Sequence, residues 1–498
     1  MTRKCWTAVA ALLLLAIVPL SARADDKPKP AQPPEAPAHV ETQHRLSVNG
    51  HQLDYRAIAE TIALHDKKGA VTASVFTISY VADVPPGQQR PVAFVFNGGP
   101  GAASVFLHLG ALGPRILETP GDGSLPDPPY ETIDNSNTWL AFTDLVFVDP
   151  VGTGFSRGEG KDDPDKPFFN VRGDLSSLAS VLRLWLTRHQ RWAAPVYLVG
   201  ESYGGYRAAA LTQSLAEDVG ITVNGVVLVS PALDMDLVYA NVVDPMGAAF
   251  VIPSYAATVA SLAGKPLSAD AAAGIEAFAL GDYVAGLLRM TGEPPAGDPF
   301  IARVAQTIGI DADTVRRSRG RVSNGMFVRE LRRDRHEVLS VYDGTVKRAT
   351  RGNPWDDHAG DPVLAPATAA FTAVFDAYAP EALGYHTELP YRVLPHDVAQ
   401  HWDWDATNHG EGGLGFALTN FEQALLAHPR TKVLIVNGRH DLQTPYLSSR
   451  WLIDQLSIPS SVRQAIRLKV YDGGHMMYLR HDSLAALSRD AADLFKPD

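Results

Sequence analysis

Cysteine is all but absent: the 498 residues contain one, Cys5, near the start of the chain. One thiol closes no disulfide within a chain, so packing alone must hold the fold. Paired Cys motifs, His-Glu-x-x-His and a phosphate-cradling Gly-rich loop are missing as well, so neither a metal nor a nucleotide cofactor is expected. Basic residues are in deficit, 44 Lys and Arg against 55 Asp and Glu, for a formal charge of -11. That balance argues against nucleic acid as a partner. Long apolar runs are lacking apart from Ala8 to Leu20, which is too short to span a bilayer comfortably, and no later run is a candidate span. Arg3 and Lys4 precede that run and Ala22-Arg23-Ala24 follows it, the order of a secretory leader cleaved after Ala24. Cys5 then leaves with the leader, and losing Arg3, Lys4 and Arg23 takes the charge to -14. A periplasmic or secreted protein without a stable membrane anchor is expected.

What remains has the composition of a globular chain, 46% hydrophobic and 20% charged. Residues 25–41 are rich in Pro, Ala and Lys and are expected to form a linker. Strand signals begin near Thr42, and Val71 to Tyr80 alternates and is β-branched, as a half-buried strand would be. Short apolar runs follow at Val92 to Phe96, Leu145 to Val148, Val196 to Val199, Val226 to Val229, Lys432 to Val436 and Ile466 to Tyr471. Leu175, Leu178, Val181, Leu182, Trp185 and Leu186 mark one face of a helix between two of them. Strands alternating with helices predict a mainly parallel sheet with its functional groups at the carboxyl ends of the strands. Residues 232–395 carry mostly helical signals and are expected to be a cap inserted into a core of residues 42–231 and 396–498.

Gly200-Glu201-Ser202-Tyr203-Gly204 stands between the run at 196–199 and an alanine-rich helical segment. This is Gly-x-Ser-x-Gly, the strand-to-helix bend that exposes a serine. A serine hydroxyl needs a base, and the base needs an acid to orient it. Asp441 lies just past one late strand and His475 in the loop after the last. The order Ser202, Asp441, His475 is that of α/β-hydrolase triads, which makes this the expected fold. His440 and Asp472 are the alternatives; His440 would reverse that order and Asp472 precedes a glycine turn. Tyr203 N–H and Gly99, in the turn Asn97-Gly98-Gly99-Pro100-Gly101 after an early strand, are the expected oxyanion donors. Trp402-Asp403-Trp404 suits either a substrate pocket or packing. The eleven Lys and Arg among residues 316–351 suit a solvated face better than a binding patch.

Four blocks together resemble the serine carboxypeptidase family, peptidase family S10: Asn97 to Gly101, Asp149 to Ser156, Gly200 to Gly205 and Gly473-Gly474-His475-Met476. Leu112 to Arg115 and Asn137-Thr138-Trp139 are also similar to its pattern. The resemblance implies an acyl-enzyme hydrolase that releases C-terminal residues from peptides and is favoured by acid. It implies that Asn97 and Glu201 bind the substrate's terminal carboxylate, with Gly98 and Met476 also in the substrate site. Ala102-Ala103-Ser104 stands where the family usually has Cys-Ser-Ser, which points to a disulfide-free bacterial branch. An esterase or acyltransferase using the same triad, and a silent binding protein on the same scaffold, are the alternatives.

Overall fold

The inner parallel strands are continuous apolar runs because both of their faces are covered, and alternate residues divide between two cores. Val92, Phe94 and Phe96 join one buried cluster while Ala93 and Val95 join the other. Val433 and Ile435 are split from Leu434 and Val436 in the same way. The computed structural model describes residues 37–497 apart from residue 49 and residues 86–88, 239–242 and 405–415. The expected leader therefore lies outside the described residues.

Nine strands carry the sheet: β1 His39–Val48, β2 His51–His65, β3 Val71–Ala82, β4 Val92–Phe96, β5 Asp144–Val148, β6 Val196–Glu201, β7 Val223–Val229, β8 Lys432–Gly438 and β9 Ile466–Tyr471. They lie in the order β1-β2-β3-β5-β4-β6-β7-β8-β9, with a two-residue strand, Arg157–Gly158, paired to β3. The first three strands pair antiparallel, as does β3 with β5. From β5 to β9 every pairing is parallel. The exchange of β4 and β5 in an otherwise sequential order, with Gly-x-Ser-x-Gly at the end of β6, is the α/β-hydrolase fold. β1 begins at His39, inside the stretch 25–41 expected to be linker, because its backbone pairs with β2 along its whole length.

Helices α1 Val171–Arg188 and α2 Tyr203–Ser214 bury their apolar faces on one side of the sheet. On the other side lie α4 Leu364–Glu381 and α5 His481–Leu494. Between β7 and β8, helix α3 Pro245–Leu262 and the shorter helices after it form a third buried cluster, which also takes in Leu442 and Leu447 of the sheet side. The segment 232–395 is thus divided. Its part around Ala249 to Leu339 packs on its own core, whereas α4 sets Phe371 against Phe106 and joins Tyr378 to Tyr80 through their hydroxyls (2.8 Å). Two helical runs, Pro245–Leu262 and Ala269–Arg289, are long and apolar enough to cross a membrane, against the expectation of no later candidate. Their Phe250, Tyr255, Phe278 and Tyr283 are buried within the third cluster, which accounts for that composition without lipid.

Candidate active site

The site begins with a bend. β6 ends at Glu201, α2 begins at Tyr203, and Ser202 between them takes φ 59° and ψ -124°. A methyl group on Gly200 would collide with the Gly204 carbonyl, so the bend demands the glycines that flank it. Ser202 N–H donates to Val229 on the neighbouring strand (3.0 Å), and its carbonyl accepts from Gly205 (2.9 Å) and Ala232 (3.0 Å). The serine is therefore held by the end of β7 and by the start of α2.

The turn after β4 packs directly on this bend. A Cβ on Gly98 would lie 2.5 Å from Tyr203 N, so only glycine permits the approach. Arg207, one turn into α2, donates to the Asn97 carbonyl (2.5 Å) and forms a fully buried ion pair with Asp174 of α1 (2.7 Å). Ser104, just past the turn, donates from both N and Oγ to Asp149 Oδ1 (2.8 Å each). Burial pushes the Asp149 carboxyl up to about 6, against the pull of those Ser104 bonds.

Asp441 and His475 meet: Nδ1 of His475 lies 2.9 Å from Asp441 Oδ2, and both side chains are buried. Thr444, unforeseen from sequence, touches both, with Oγ1 2.7 Å from Asp441 Oδ2 and 3.0 Å from His475 Nδ1. The backbone N–H groups of Gln443 and Thr444 donate to Asp441 Oδ1 (2.8 and 2.9 Å). Asp-x-x-Thr is a local turn signal that could have revealed this. The His475 backbone is fixed as well: its N–H donates to Tyr342, and its carbonyl accepts from Ser230 Oγ (2.9 Å). Burial works against the imidazolium, but Asp441 and then Glu201 outweigh it, so His475 titrates above its ordinary value. The alternatives pair with each other instead, His440 Nε2 lying 3.1 Å from Asp472 Oδ1.

Ser202, His475, Asn97, Gly98, Gly99, Glu201, Tyr203 and Met476 all line one cavity of about 100 Å³. Asp441 stands behind His475. A larger cavity of about 370 Å³ adjoins it, and the two share Ala232, Val238, Gln443 and Thr444. Glu201 is buried and accepts from Asn97 Nδ2 on Oε2 (2.5 Å) and from Tyr478 OH (3.0 Å). Burial pushes its carboxyl up to about 7, while His475, Tyr478 and Asn97 pull it down and Asp441 adds to the rise. Trp402 and Trp404 are packing residues, set edge-on to the Tyr203 ring at 5.5 and 5.7 Å. In the basic stretch, Arg332 and Lys347 both meet Glu337, and Arg348 meets Asp357. Among the described residues no cluster of His, Cys, Asp and Glu could hold a metal ion.

Residues 71–254 match the family model described as serine carboxypeptidase. Serine carboxypeptidase-like 13 of Arabidopsis thaliana is 28% identical over 153 residues, 30% of this chain and 34% of that protein. Serine carboxypeptidase-like 8 of the same plant is 30% identical over 163 residues, 30% of this chain and 35% of that protein. The chain thus spans about a third of the length of these relatives. Among solved structures, a proline iminopeptidase of Mycobacterium smegmatis is 14% identical at a TM-score of 0.37, covering 88% of this chain and 98% of its own. Esterase E22 is 12% identical at 0.39, covering 92% and 100%. Likenesses that slight carry no argument, and the fold rests on the strand order itself.

Proposed function

For a chain that belongs to the serine carboxypeptidase family, we propose an exported hydrolase that releases C-terminal residues from peptides through an acyl-enzyme on Ser202. Ser202 Oγ attacks the carbonyl carbon of the last peptide bond while His475 Nε2 takes its proton. Asp441 engages Nδ1 and so presents Nε2 to the serine. Gly99 and Tyr203 N–H groups stabilise the oxyanion. His475 then returns the proton to the departing amine, and the C-terminal residue leaves. Water, deprotonated by His475, attacks the acyl ester and regenerates Ser202. Asn97, Gly98 and Glu201 hold the terminal carboxylate, and Met476 packs beside the departing residue.

One observation carries this reading: a buried carboxyl with a pKa of about 7 adjoins the nucleophile and is bonded to the Asn97 amide. A substrate carboxylate sits beside Glu201 only while Glu201 holds a proton, since like charges a few ångströms apart repel. Glu201 is also one of the charges that raise His475, so protonating Glu201 favours the neutral, basic imidazole. The two groups titrate as a pair, and carboxylate binding is strongest below about pH 7.

The test compares N-blocked dipeptides as free acids and as amides from pH 4 to 8. For acids, kcat/KM should fall about tenfold per pH unit above the Glu201 midpoint, while amides show no such fall. Ser202→Ala should abolish release of the C-terminal amino acid; unchanged release by that variant sinks the proposal. Equal turnover of acids and amides points instead to an esterase or acyltransferase with the same triad. Failure of a fluorophosphonate to label Ser202 points to a silent binding protein.

A further inference from the structure

Tyr478 is not among the residues that line the catalytic cavity, yet its hydroxyl lies 3.1 Å from Glu201 Oε1 and 3.0 Å from Oε2. The side chain is 1% exposed and belongs to the short helix Met477–Leu479, which begins two residues after His475. Its ring is wedged in place, since even a methyl on Gly110 would come within 2.9 Å of Cε2. Asn97 Nδ2 bonds Oε2 of the same carboxyl. The groups that face Glu201 are thus Asn97 from the turn after β4, Asp441 from the loop after β8, and His475 and Tyr478 from the segment after β9.

A phenol has one hydrogen to donate. Oε2 is the oxygen within reach of both donors, and Oε1 meets only the phenol. We propose that Tyr478 is a positioning residue that fixes the proton of Glu201: with Asn97 it holds Oε2 as the accepting oxygen, leaving Oε1 to carry the proton toward the substrate's terminal carboxylate. This rests on the carboxypeptidase reading of the site. A hydrogen bond to an ionised carboxylate is stronger than one to the neutral acid, so the phenol also sets the pH at which Glu201 lets its proton go.

Tyr478→Phe removes one oxygen and leaves the ring. The fall of kcat/KM on blocked dipeptide acids should move up by about one pH unit, the worth of one hydrogen bond to a charged group. Amides and a simple ester should show no alkaline fall to be displaced, and any change in their rates should be confined to the acid limb that His475 sets. A tyrosine that only supports the fold would lower every substrate equally at every pH, and that result overturns the inference. Infrared spectra decide the matter without turnover. The carbonyl stretch of protonated Glu201, isolated by subtracting Glu201→Gln, should disappear at a higher pH in Tyr478→Phe than in the native chain. Tyr478→Leu should move it the same way if the phenylalanine variant does not fold. An unchanged midpoint overturns the role of Tyr478 whatever the substrate. Loss of the acid-over-amide preference in the native enzyme, with the midpoint shifted as expected, overturns only the carboxypeptidase reading.

Discussion

Ser202 holds a backbone conformation that costs a serine about 1–3 kcal/mol, at φ 59° and ψ -124°. Hydrogen bonds to the end of β7 and to the start of α2 offset that cost, so the strain is not confined to one turn. Glu201, one residue earlier, carries a different burden. Its folded pKa of about 7 exceeds the ordinary 4.5, so the folded state binds the proton more tightly than the unfolded chain. Stability is therefore undiminished below about pH 4.5 and is lost as pH rises toward 7. Glu201→Gln should stabilise the protein by on the order of 2–3 kcal/mol at pH 8 and leave it nearly unchanged at pH 4. Urea unfolding at the two pH values checks this, and an equal effect at both would refute it. At this scale the sequence showed the bend and the Asp441–His475 pair, because strand ends and glycine turns mark them locally. Tyr478 was hidden: its partner Glu201 is distant in the chain, and no local pattern joins a tyrosine to it.

Helix α2 is an element whose two ends do different work. Its first residue helps line the catalytic cavity, and one turn later Arg207 joins the turn after β4 to Asp174 of α1. Arg207→Met would leave Asp174 buried without its partner, and a loss of about 3–5 kcal/mol is expected by denaturant unfolding. A loss below about 1 kcal/mol would show that water reaches Asp174. The edge element β9 points Arg467 and Lys469 outward, charges that discourage pairing with another strand. Replacing both by Val should shift the protein toward larger species in light scattering, and an unchanged mass would count against that role. The bounds of β4 and β9 were legible to the residue because apolar runs end at turns. The place of α4 was not recognised, although Phe371, Phe375 and Tyr378 at helical spacing already formed a face that needed a sheet to cover it.

Across the described residues, three buried clusters supply the cohesion that disulfides give many small domains. With Cys5 as the single thiol, a reductant should leave the melting temperature unchanged, and a fall on reduction would reveal a bond between chains. The α/β order was legible at this scale because helical and strand periodicities alternate along the chain. The division of residues 232–395 between two cores was not, since periodicity tells that a face is buried and not which neighbour buries it.

That division has a consequence for recombination. The part around Ala249 to Leu339 packs on its own cluster, while α4 completes a face of the sheet. A chimera that exchanges only the former carries most of its apolar core with it, has to match the retained Leu442 and Leu447, and leaves Tyr342 in place under His475. One that also replaces α4 strips the sheet of Phe371, Phe375 and Tyr378. The natural crossover points for grafting a foreign specificity module therefore fall after Ala232 and before Tyr342, well short of where the helical character of the sequence ends.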